Sequence, residues 1–142
     1  MTLNPYVEQE LITARLESVM AQTVYEDVPD AVDTQYSNGL IIPYITVDYG
    51  MPFASAGGRS IAAEEKQPTD QRVIFSSVAG SNNTAREITS KIVNEMTGFK
   101  ASANSGPLRL VGGGAYTIQV ENKPTEYVSE VYMLYASNMV DS

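Results

Sequence analysis

The run from Gln71 to Gly98 leaves this chain few folds to choose from. Arg72-Val73-Ile74-Phe75-Ser76-Ser77-Val78 is apolar and rich in β-branched residues, which predicts a buried strand. A polar turn then leads into an amphipathic helix with both ends marked. The helix is expected to start within Ser81-Asn82-Asn83-Thr84, where Thr84 and Glu87 have the spacing of a capping box, and to stop at Gly98, which readily takes a left-handed backbone. Between those ends Ala85, Ile88, Ile92, Val93 and Met96 share one face, while Arg86, Glu87, Lys91 and Glu95 take the other. A helix with such a stripe buries it on a sheet.

The flanking sequence supplies the rest of that sheet. Asn4-Pro5 reads as the start of a first helix, with a core stripe of Leu11 (or Ile12), Leu16, Val19 and Met20 and with Glu8, Glu10, Arg15 and Glu17 outside. Tyr25 to Val28 reads as a short strand, and Ser37-Asn38-Gly39 as a turn. Leu40 to Tyr49 is a strand in composition, but Pro43 has no N–H, so the strand either begins at Tyr44 or lies at an edge. Pro107 to Val111 and Ala115 to Val120 read as the two arms of a hairpin turned at Gly112-Gly113-Gly114. Tyr127 to Ala136 closes the chain as a strand apolar on both faces, which places it centrally. The expected fold is α+β: a mainly antiparallel sheet of four to six strands, two helices on one face, and a long loop or arm at about 50–70, all in one domain over 1–142.

Composition narrows the chemistry. The sequence holds no Cys and no His, which removes disulfides, thiolate metal sites, the commonest general base and the commonest transition-metal ligand. No enzyme activity is expected, and no catalytic residue, cofactor or metal site. Asp27, Asp30 and Asp33 recur every third residue but lack the spacing and glycine of a calcium loop. Gly57-Gly58-Arg59-Ser60 lacks the spacing of a phosphate loop, and the triple glycine at 112–114 has no helix after it. With a formal net charge of -8, and eight acids against Arg15 alone in residues 1–50, the front of the chain is an acidic pole that disfavours tight nucleic-acid binding. No apolar run is long enough for a membrane span and no leader is evident, so the chain is expected to stay in the cytoplasm where it is made.

Residues 50–70 are long for a connection in so small a domain, and Met51, Pro52, Phe53 and Ile61, together with Arg59, make them more than a plain linker. The stretch is either simply disordered or an interaction arm, and as an arm these five are its candidate contacts to a neighbouring subunit or to the structure it assembles on.

Taken in order, several short strings look familiar. They are the opening helix from Leu11 to Met20, Ile42-Pro43-Tyr44-Ile45-Thr46-Val47, the Gly-rich insertion, the Arg72 to Val78 strand with its helix, Gly106-Pro107-Leu108-Arg109-Leu110, and the closing Pro124-Thr125-Glu126-Tyr127 to Tyr135. The series resembles tail terminator proteins of long-tailed bacteriophages, also called tail-to-head joining or tail completion proteins. That resemblance implies a hexameric ring at the head-tail junction of a virion, which ends growth of the tail tube and presents a docking surface to the head connector. Its partners would be copies of itself, the tail tube protein and the connector or stopper protein. DNA would pass through without specific binding, and Asp27, Asp30 and Asp33 are the candidates for an acidic lumen. The competing expectations are another neck protein, such as a stopper or head completion protein, and a small ligand-binding α+β domain.

Overall fold

The computed structural model describes residues 5–50, 53–54, 69–103 and 105–137, and its fold is α+β. The central strand, β6 (Thr69–Ala79), is longer than the apolar run alone indicates. It lies between β4 (Tyr44–Tyr49) and β8 (Glu126–Ser137), antiparallel to both. Beyond β4 lies β1 (Thr23–Tyr25), the one parallel neighbour, and beyond β8 lies β7 (Arg109–Ile118). The sheet therefore runs β1-β4-β6-β8-β7, with a short β5 (Phe53–Ala54) also on β6. Tyr36–Ser37 (β2) and Leu40–Ile41 (β3) form a separate small hairpin around Asn38 and Gly39. β4 begins at Tyr44, so Pro43 falls between strands and costs no ladder bond.

The helix after β6 is α2 (Asn82–Met96). Ala85, Ile88, Ile92 and Met96 are buried, and Val93 packs at the margin of the same core. Its cap is Ser81, not Thr84: the Ser81 hydroxyl accepts the Thr84 N–H at 3.2 Å, three residues ahead of the expected box. Ser81 has the extended backbone that a cap requires and stands where the β6 chain ends, so strand length decided between two serviceable hydroxyls. Gly98, at φ +88, ends the helix as expected and donates its N–H to the Leu108 carbonyl. Beneath the helix, Ser77 donates to the Ala85 carbonyl at 2.6 Å, and Thr89 and Ser129 share a hydrogen bond at 2.9 Å. These pairs satisfy the polar groups that the sheet brings under the helix.

The first helix, α1 (Pro5–Val19), sends Ile12 and Leu16 into the core; Leu11, the alternative, is exposed. Glu8 departs from its expected outward place and is 1% exposed, because it stands one turn before Ile12 on the same face. Helix phase overrides residue type there. The Tyr49 hydroxyl ties α1 to β4, donating to the Gln9 carbonyl and sharing a 2.8 Å bond with Thr13. Both helices cover the same sheet face, over Ile45, Val47, Val73, Phe75 and Met133. The opposite face holds a smaller cluster of Tyr44, Val78 and Val128, covered by Tyr25, Val32 and Ile118.

Two expectations about connections fail. The short strand lies at Thr23–Tyr25 rather than Tyr25 to Val28, since its register is set by parallel pairing with Tyr44–Thr46. The glycines at 112–114 do not turn the chain: β7 runs through them as one strand, with a bulge between Leu110 and Gly112. None of the three has a positive φ. Gly113 is required for a different reason, since a Cβ there would stand 2.7 Å from the Glu130 carbonyl oxygen on β8.

Candidate assembly surface

Three sides of β7 are open. Among the described residues it pairs only with β8, so alternate backbone N–H and C=O groups point outward along its free edge. Directly opposed residues of paired strands project to the same sheet face. Gly113, Ala115 and Thr117, opposite Val131, Ser129 and Tyr127, therefore lie on the helix side. Yet the main contacts of α2 are with β6 and β8, and those of α1 are with α2 and with β1 at the far end of the sheet. Those three residues are exposed, as are Leu110 (48%) and Val111 (47%). On the other face Tyr116 is exposed as well, and only Ile118 reaches a cluster. Uncovered apolar surface together with an unpaired edge makes β7 the candidate assembly surface among the described residues.

Part of the acidic front, Asp30 and Asp33, stands with Glu126 on the sheet face away from the helices. The chain from Pro29 to Tyr36 and the far end of β7 border a shallow cleft of about 370 Å³, lined by Asp30, Asp33 and Glu126 with Lys123. Glu126 is committed to structure there: its carboxylate accepts from Thr34 Oγ1 at 2.5 Å and from the Tyr44 hydroxyl at 3.3 Å. Further along the same face, Glu130 accepts from Ser76 and from Tyr132. Burial, with the nearby Glu126 carboxylate adding to it, pushes the Tyr44 phenol up to about 12. Partial desolvation of a side chain that is still 39% exposed, with the charges of Glu130 and Asp30, pushes Tyr116 up to about 12 as well.

Of the sequence candidates, Asp27, Asp30 and Asp33 are all exposed, and Asp27 accepts the Val28 N–H at 2.8 Å. Among the described residues no group of three or more acids is placed to hold a metal ion. Phe53 lies in β5, whose backbone pairs Phe53 with Asp70 and Ala54 with Thr69. Met51, Pro52, Arg59 and Ile61 lie outside the described residues. Where β4 gives way to β5, the buried Gln71 side chain donates to the Gly50 carbonyl and, at 2.9 Å, to that of Arg72. The sequence reading missed β7 as a surface because it divided the strand at its glycines. Leu110-Val111 and Tyr116 were the available signal: large apolar residues beside a glycine run, with no helix nearby in sequence to cover them.

No family model matches the chain, and no curated protein matches it. Among solved structures it is similar to a chain in the virion of a native gene transfer agent particle, at 15% sequence identity and a TM-score of 0.48, over 92% of this chain and 90% of that one.

Proposed function

We propose that this chain is a structural subunit of a phage-type particle: one domain over residues 1–142 that assembles with its own copies into a ring capping a tail tube. The ring ends tube growth and receives the head connector. The observation that carries this reading is β7, open along its edge and on both faces. A lone domain with such a strand is exposed to uncontrolled edge-to-edge association, whereas closure of a ring occupies the edge in every subunit. In this reading Asp27, Asp30 and Asp33 face the bore, where their charge keeps passing DNA from adhering. Met51, Pro52, Phe53, Arg59 and Ile61 contact the next subunit or the tube.

The test uses purified protein with tail tubes and with tailless capsids. Light scattering should give a ring-sized particle, negative-stain images should show an annulus, and the protein should bind open tube ends and leave capsids alone. Binding to capsids instead would make it a stopper or head completion protein. A monomer at high concentration that ignores both would refute the assembly reading.

A further inference from the structure

The hairpin of β2 and β3 stands apart from the main sheet and is lightly held. Two residue pairs, Tyr36 with Ile41 and Ser37 with Leu40, make up its ladder. Ile41 is buried and anchors it, and Ile42 donates its N–H to the Gln35 carbonyl at 2.9 Å. The loop between the strands is Asn38-Gly39, with φ 53 and φ 77, the two positive values of a type I′ turn. Both residues are exposed, and nothing lies within 4 Å of the place a Gly39 Cβ would occupy. The Asn38 amide is therefore in water, next in the chain to a backbone N–H that no side chain shields.

We infer that Asn38 is a site of spontaneous deamidation, converted ahead of every other described asparagine. The Gly39 backbone nitrogen, on losing its proton to hydroxide, attacks Cγ of Asn38. The new N–Cγ bond closes a five-membered succinimide, and the Cγ–Nδ2 bond breaks with departure of ammonia. Water then opens the ring at either carbonyl. Opening at Cγ leaves an aspartate; opening at the former main-chain carbonyl leaves an isoaspartate, whose backbone runs through Cβ and Cγ. Asn82, Asn83 and Asn94 are held in α2, and Asn122 shares the positive φ but precedes Lys123, whose side chain crowds the attack. The turn paces the reaction, because the nitrogen reaches Cγ only when Asn38 swings out of the turn conformation and the small hairpin opens. Each conversion takes the formal charge from -8 to -9. The new carboxylate stands two residues from Tyr36, which lines the cleft with Asp30 and Asp33. Isoaspartate also lengthens the backbone of a two-residue loop whose length sets the hairpin register. None of this depends on the assembly reading.

The test holds the purified full chain in warm, mildly alkaline buffer, folded and, in parallel, unfolded in guanidinium. A protease that cuts after Asp and Glu then releases residues 34–48, which contain Asn38 and no other asparagine. In the folded chain this peptide should gain the mass of an NH2-to-OH exchange before any other peptide holding a described asparagine. Isoaspartate, labelled by an isoaspartyl methyltransferase, should be the larger product. The unfolded chain should convert severalfold faster. Asn38→Gly keeps a residue suited to the turn and should lose the label. If residues 34–48 stay unmodified in the folded chain, or if Asn82, Asn83, Asn94 or Asn122 converts first, the assignment is overturned. Label that persists in Asn38→Gly at an unchanged level overturns it as well. Equal rates in the folded and unfolded chains would overturn the requirement that the hairpin open.

Discussion

Alanine placed in turn at Gly112, Gly113 and Gly114 tests the strand assignment of β7 by the sign of three effects. At Gly113 the new Cβ would stand 2.7 Å from the Glu130 carbonyl oxygen, a backbone atom held in the ladder between β7 and β8. One strand must shift, and overpacking of this kind costs about 1–3 kcal/mol. Replacing glycine also narrows the unfolded ensemble, which returns about 0.4–1 kcal/mol. The net expectation for Gly113→Ala is a destabilisation of roughly 0.5–2 kcal/mol. At Gly114 the nearest atom is the Tyr132 hydroxyl at 3.6 Å, an ordinary contact. Only the entropic term then operates, and Gly114→Ala should be stabilising by about 0.4–1 kcal/mol. Gly112→Ala meets the Tyr132 ring at 3.3 Å, a side-chain atom able to yield, and should fall between the other two. Urea unfolding followed by far-UV circular dichroism, at a concentration where the wild type is dissociated, reads the three as shifts in midpoint at unchanged slope. If the glycines formed a hairpin turn with positive φ, all three alanines would destabilise together. That pattern, or a Gly113→Ala protein as stable as Gly114→Ala, would refute the register described here.

Two further outcomes are expected. Ser81→Ala should lower the stability of the dissociated chain by ~1 kcal/mol through loss of the α2 cap, while Glu87→Ala should change it by less than about 0.5 kcal/mol; the reverse order in thermal melts would restore the Thr84 box. Alkali should destabilise the fold. The Tyr44 and Tyr116 phenols stand at about 12 in the folded chain against 10.0 for a free one, so their contribution is complete below pH 10 and drains away as pH rises toward 12. Burial raises Tyr49 and Tyr135 too. The urea midpoint should therefore fall steadily above pH 10. Tyr44→Phe should flatten part of that fall, and a midpoint that holds constant as the phenolates titrate in ultraviolet absorbance would count against the environments assigned to them.

What could be read from the sequence, and what could not, divides along local and non-local causes. α2 was legible because its stripe, its cap region and Gly98 are all set within one stretch of chain. The central place of β8 was legible too, since a strand apolar on both faces has few other positions available. The glycines of β7 were misread because a glycine run considered by itself says turn. What requires Gly113 is a carbonyl on β8, seventeen residues further on and invisible to any local window.

α1 is the instructive intermediate case. Its sequence offered Leu11 or Ile12 for the core, and that ambiguity reflected two apolar stripes on one helix, of which a single sheet can bury only one. The structure assigns Ile12 inward and leaves Leu11 in the open. The same accounting places Glu8 inside, because a helix that must bury Ile12 and Leu16 carries with it whatever residue stands one turn earlier. A helix with two such stripes has a surface left over once the domain is folded, and β7 is a strand left over in the same sense.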